Sequence, residues 1–158
     1  MSGISLAEAA DSFLSLKRIA VAGVSSVQQD AANGIYKALR ERGYETYPLN
    51  PKVSIVEGDK CYPDLKSLPV KPEGVVIVTR PEVTLQIVKE CAALGINHVW
   101  MHKSFGDSVS QEAVEFGRKA GMTVIPGGCP MMFIENADFG HKCMKSILSL
   151  FGRIPKQI

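Results

Sequence analysis

Five short β-branched runs punctuate the chain, at Arg18–Val24, Glu45–Leu49, Val75–Thr79, His98–Met101 and Thr123–Ile125. Their apolar residues are continuous rather than alternating, which is the pattern of strands covered on both faces. Between the runs the apolar positions switch to helical spacing. Ile35, Leu39 and Arg42 lead into Gly43; Leu85, Val88, Cys91, Ala92 and Leu94 lead into Gly95; Ala113, Phe116, Gly117 and Ala120 lead into Gly121. A glycine directly after each helix can take the left-handed conformation that ends it. Pro81 stands where a first helical residue should be, and Ser110 stands where a serine can cap the next helix. Strand, helix, glycine, strand in repetition means βαβ units with right-handed crossovers and a parallel sheet.

The fold class predicted is therefore α/β: a Rossmann-like, doubly wound, mainly parallel sheet of five or six strands, with helices on both faces. Lys52–Pro72, with Gly58, Pro63 and Pro69, reads as an irregular excursion holding one short strand. Two amphipathic segments flank the core. Ser5–Leu16 carries Leu6, Ala9, Ala10, Phe13 and Leu14 on one stripe; Asp138–Phe151 carries Phe139, Cys143, Ile147, Leu150 and Phe151. Both read as helices covering open ends of the sheet, and the second can also serve as a homodimer surface. The chain reads as a single domain over 1–158, with a core at about 16–130 and a helical extension at 138–158.

Composition narrows the classes without changing that picture. A chain of 158 residues is long enough for one substantial core. A net charge of +2, with basic residues scattered, provides no footprint for nucleic acid or a membrane surface. No apolar run reaches the roughly 18–20 residues that span a bilayer, and the acidic N-terminal segment does not read as a signal peptide. Cys61, Cys91, Cys129 and Cys143 form no CxxC pair, which argues against zinc and disulfide frameworks and for a reducing cytoplasm. His98 and His141 lack any metal-ligand spacing.

The segment with most chemical content is Val21-Ala-Gly-Val-Ser-Ser26, which leaves the first strand and enters a loop before a helix. Gly23 permits close backbone approach, Ser25 and Ser26 offer hydroxyls, and the following helix N-terminus favours an anion. In a doubly wound sheet this is also where ligands collect; the plainer reading is that Gly23 only allows tight strand–helix packing. The dinucleotide fingerprint is absent, because Ser25 and Gln28 stand where its later glycines would be. The second strand ends in Leu49-Asn-Pro-Lys52 with no ribose-gripping carboxylate. A lysine there suits a ribose that carries its own phosphate, although an ordinary solvated lysine gives the same sequence.

These segments, read in order, resemble the CoA-binding domain proteins, relatives of the nucleotide-binding domain of the succinyl-CoA synthetase α subunit. The resemblance rests on Ile19–Ser26, Gly43-Tyr-Glu-Thr-Tyr-Pro-Leu-Asn-Pro51, Gly58-Asp-Lys-Cys-Tyr-Pro63, Val75–Pro81, Gly95-Ile-Asn-His-Val-Trp100 and Ala120–Ile125. It implies that coenzyme A or an acyl-CoA lies along the carboxyl ends of the strands. Gly23, Val24, Ser25 and Ser26 would face the diphosphate, and Asn50, Pro51 and Lys52 the adenosine with its 3′-phosphate. Val78, Thr79, Arg80 and Pro81 would border the pantetheine or phosphates, with Met101, His102 and Lys103 on the next edge. Cys129, in Pro126-Gly-Gly-Cys-Pro-Met-Met132, would lie near the CoA thiol, with Met131, Met132 and Phe133 as an apolar wall.

The leading expectation is thus a stand-alone CoA-binding protein without an evident catalytic centre. Two enzyme-class alternatives stay open: an NAD(P)-linked oxidoreductase, and a thiol-exchange protein using Cys129 with CoA. A purely structural subunit is a further reading, which requires the crevice to be filled by side chains or by Lys52–Pro72.

Overall fold

The computed structural model describes residues 3–27, 30–104 and 106–134. Four helices, α1 (Leu6–Leu14), α2 (Ala31–Glu41), α3 (Pro81–Leu94) and α4 (Gln111–Lys119), surround five main strands. The strands are β1 (Arg18–Ala22), β2 (Glu45–Leu49), β5 (Gly74–Ile77), β6 (His98–Met101) and β7 (Thr123–Pro126), with a small hairpin of β3 (Ile55–Val56) and β4 (Asp59–Lys60) between β2 and β5. All five main strands are parallel, in the order β2-β1-β5-β6-β7. The sheet is the five-stranded, doubly wound, Rossmann-like α/β arrangement that the alternating segments predict. The 138–158 extension lies outside the described residues, as do Cys143 and His141.

The local causes are those read from the sequence. Gly43, Gly95 and Gly121 take positive φ values of 88, 73 and 79° directly after their helices, where any side chain would be strained. Pro81 opens α3, and the Ser110 hydroxyl accepts the Ala113 N–H at 3.3 Å. Ser5 and Glu8 form a reciprocal capping box at the start of α1. β1 ends two residues earlier than the Arg18–Val24 run, because Gly23 turns the chain with φ 103°. The excursion after β2 differs from expectation. It holds two paired strands of two residues each and a 3-10 turn at Leu65–Ser67, where one strand is predicted. Glu57, the one described non-glycine residue with positive φ, makes that hairpin tight enough to close.

Alternate strand residues feed two cores. Ile19, Val21, Val76, Trp100 and Ile125 point to the face covered by α1 and α2; Ala20, Val75, Ile77, Val99 and Val124 point to the face covered by α3 and α4. On the first face the Phe13 ring meets Trp100 edge-on, with centroids 5.5 Å apart at 89°. Phe13 is 1% exposed, so its truncation leaves a cavity under the sole tryptophan. Phe13→Ala is expected to lower stability by about 3–5 kcal/mol, read as a shift in the urea midpoint of Trp100 emission.

Candidate functional site

The sheet order places the site. From β1 the chain winds outward to β2 with α2 on one face, whereas from β5 it winds the other way with α3 on the opposite face. The connections therefore part above the carboxyl ends of β1 and β5 and leave a crevice. A cleft of about 400 Å³ lies there, within the range of small-molecule sites.

Its floor is made by close backbone contact. The Val78 N–H donates to Ala22 O at 2.9 Å, and Gly23 N–H to Leu49 O at 3.2 Å. A Cβ on Gly23 would lie 2.1 Å from the Val78 carbonyl oxygen. The close approach that Gly23 permits is thus first of all to the neighbouring strand, and the open cleft follows from it. Asn50 ties the next loop in place: its amide donates to Val24 O at 2.6 Å, and its Oδ1 accepts Lys52 N–H at 2.7 Å.

Of the residues singled out in the sequence, the structure brings Gly23, Asn50, Pro51, Lys52, Val78, Thr79 and Arg80 together around this cleft. Lys52 and Arg80 are its exposed cations. The other named residues stand outside the lining. Val24 is fully buried in the core beside α2. Ser25 and Ser26 lie in the β1–α2 loop, Ser26 exposed and Ser25 already engaged there. Its N–H donates to Asn33 Oδ1 at 2.9 Å and its hydroxyl is bonded to the Asp30 carboxylate. A side-chain amide and a carboxylate therefore occupy the donors that a bare anion cradle would offer. Pro81 begins α3 just beyond the lining.

The edge after β6 is closed as well. Met101 is buried under α3 and α4, and His102 is 3% exposed, with Nε2 3.2 Å from the Ser104 hydroxyl. Burial pushes its pKa down to about 4, against a smaller opposing pull from Asp107, so the imidazole is neutral near pH 7. Lys103 pairs with Asp107 at 3.3 Å and donates its backbone N–H to Gly128 O at 2.9 Å. That bond, with Trp100 Nε1 donating to Gly127 O at 2.9 Å, folds the Gly-Gly turn against the sheet. Cys129 is consequently buried among the α1/α2-side residues, and desolvation pushes its thiol up to about 11. Its thiolate fraction near neutral pH is then on the order of one in ten thousand, which disfavours thiol exchange. Met132 packs into the same core, and Phe133 lies 5.7 Å from the Trp100 ring. The turn closes a core instead of walling the cleft.

Eight lining residues are not among the predicted site residues: Ala22 and Leu49 at the ends of β1 and β2, Pro63, Asp64 and Leu65 from the excursion, and Val83, Ile87 and Glu90 from α3. The excursion borders the crevice and does not fill it. The α3 residues carried a legible signal in their spacing, since Val83, Ile87 and Glu90 recur at helical intervals on one stripe; in the fold Val83 is left 42% exposed.

The family described as CoA binding domain matches residues 17–135. The α subunit of ADP-forming acetate–CoA ligase II from Pyrococcus furiosus is 29% identical over 127 residues, covering 75% of this chain and 28% of the subunit. A hypothetical protein from Pyrococcus horikoshii OT3 superposes with a TM-score of 0.76 at 32% identity, over 83% of this chain and 91% of that one. The apo form of the dinucleotide-forming acetyl-coenzyme A synthetase 1 from Candidatus Korarchaeum cryptofilum gives 0.60 at 25% identity, over 70% of this chain and 26% of the synthetase. The chain thus spans about a quarter of the length of the ligase subunit and of the synthetase. Among the described residues no helix is long and apolar enough to cross a membrane.

Two outcomes follow from this geometry. Gly23→Ala is expected to destabilise by about 2–5 kcal/mol, from backbone strain and the clash with Val78. Gly34→Ala, a helical position with open space around it, should stabilise by about 0.5–1 kcal/mol; urea unfolding of both variants checks the contrast. Because the folded pKa of His102 lies below its unfolded value of 6.5, its neutral burial contributes fully above pH 6.5 and is lost as pH falls towards 4. The loss amounts to about 3 kcal/mol. His102→Gln should flatten that part of the pH–stability curve, measured by urea unfolding at pH 7.5, 5.5 and 4.

Proposed function

The chain belongs to the CoA binding domain family, and from that premise we propose that its switch-point cleft binds coenzyme A or an acyl-CoA. The protein acts as a binding module with no catalytic centre of its own. The observation that carries this reading is the cleft's polarity. Lys52 and Arg80 supply two exposed cations, and Val83, Ile87 and Leu65 supply an apolar wall next to the carboxylates of Asp64 and Glu90. A phosphorylated nucleoside has the matching polarity, with anionic groups at one end and a flat, largely apolar base at the other.

Lys52 follows β2 at the position where a dinucleotide-binding sheet grips a ribose. Its ammonium suits a phosphate on that ribose as a point charge, while the Arg80 guanidinium can take two phosphoryl oxygens at once. Arg80 also stands at the N-terminus of α3 with no side-chain cap there, so the helix dipole favours the same anion. The β1–α2 loop plays a lesser part, because Asp30 and Asn33 already engage Ser25. At about 400 Å³ the cleft holds the nucleotide portion, and the pantetheine arm extends along the carboxyl edge of the sheet.

Isothermal titration tests the reading. Coenzyme A should bind more tightly than dephospho-coenzyme A, and the difference should shrink at high salt. Lys52→Ala and Arg80→Ala should each weaken CoA binding by about 5–10-fold, as the loss of one exposed charge-assisted contact would. No heat from CoA or acetyl-CoA, with tight binding of NADH instead, would sink the reading.

A further inference from the structure

The far end of the cleft carries a feature that phosphate binding does not use. Glu90 lies on the same stripe of α3 as Val83 and Ile87 and lines the cleft beyond them. At 1.5 Å per residue it stands about 15 Å along the helix from Arg80. One carboxylate oxygen, Oε1, accepts the Leu65 backbone N–H at 3.1 Å and fixes the side chain between α3 and the 3-10 turn. The other oxygen, Oε2, has no partner among the described residues. Asp64, next to it in the lining, is held differently: the Ser67 N–H and hydroxyl both bond its Oδ1, at 2.9 and 2.7 Å, and the residue is exposed. Glu90 is half-buried and shares the cleft lining with Val83, Ile87 and Leu65. An oriented acceptor is thus presented to whatever lies on the apolar wall.

We infer that Glu90 is the base-reading residue of this cleft, selecting a purine that carries an exocyclic amino group, as adenine does, over one that carries a carbonyl there. The inference rests on the proposed binding of a CoA-type nucleotide. An ionised carboxylate has only acceptors. An amino group donates to it, whereas a carbonyl oxygen at the same position brings two acceptors together and forfeits that hydrogen bond. In a half-buried, largely apolar setting an unpaired acceptor is what discriminates most strongly, because water does not replace the lost partner. The Leu65 N–H makes this discrimination possible, since it holds the carboxylate in place and keeps it from rotating to suit either base. Glu90 therefore acts on ligand choice, while Lys52 and Arg80 act on affinity for the phosphates.

The experiment uses adenosine 3′,5′-bisphosphate and inosine 3′,5′-bisphosphate as probes, titrated into the full chain alongside CoA. The wild-type protein is expected to prefer the adenosine compound by tenfold or more. In Glu90→Gln the side-chain oxygen can still accept the Leu65 N–H, and its amide now offers a donor to the base. Its preference should shift towards the inosine compound by at least tenfold relative to wild type, with an unchanged circular-dichroism melting curve. A shift of preference separates base reading from a merely structural role, which would weaken both ligands equally. Equal binding of the two compounds by the wild-type protein, or the same preference in both proteins, overturns the inference while CoA binding stands. Failure of the wild-type protein to bind CoA and both bisphosphates overturns the proposed function and this inference with it.

Discussion

The approach of β1 to β5 is the constraint on which the rest of the molecule depends. With the Val78 carbonyl oxygen 2.1 Å from where a side chain on residue 23 would begin, only glycine can stand there. The chain must then turn out of the sheet with positive φ as soon as β1 ends. The two strands share the register Ala22 to Ile77. Their successors depart to opposite sides, so backbone packed this tightly below leaves space above. The cleft is what remains when a parallel sheet is wound both ways from one line of close contact.

Around that line the polar groups divide into those that hold loops and those that carry no ion pair. Asn50 and Asn33 belong to the first kind. Asn33 is 1% exposed and bonds both the N–H and the carbonyl of Ser25, as well as Glu57 at 3.1 Å. A buried amide with its groups satisfied fixes loop geometry at little net cost, whereas the same amide unsatisfied would be destabilising. Lys52 and Arg80 belong to the second kind, since neither makes a salt bridge among the described residues. The protein has closed the edge after β6 with His102, Ser104, the Lys103–Asp107 pair and the Gly127-Gly128 turn. The open cleft accordingly lies between the residues that follow β2 and those of α3.

Much of the fold was legible in the chain because it is governed by local rules. Continuous apolar runs, helical spacing and a glycine after each helix act within a few residues of one another. They give β2 and β6 their observed bounds and the others within two residues. The hairpin of β3 and β4 was missed because strands of two residues leave no periodicity to read. It exists through pairing and through the bonds of Tyr36 and Arg40 to Asp59 and of Arg40 to the Glu57 carbonyl, all long-range. The site was legible to the extent that it follows strand ends. Gly23, Asn50–Lys52 and Val78–Arg80 each lie directly after a strand, so topology alone brings them together.

What the sequence determined by itself is the alternation of strands and helices, the glycine and serine signals that bound the helices, and the set of polar residues that directly follow the strands. Whether a given polar group faces the open cleft was decided by the tertiary structure. Ser25, Cys129 and His102 have the right chemistry in the right order, yet packing engages the first with Asp30 and Asn33 and buries the other two. Glu90, Asp64 and Val83 carry no motif, yet the crossing of α3 with the excursion after β2 sets them in the cleft. Motif spacing reports distance along the backbone. Availability to a ligand depends on which donors, acceptors and faces remain once long-range contacts have taken their share, and that is a property of the folded chain alone.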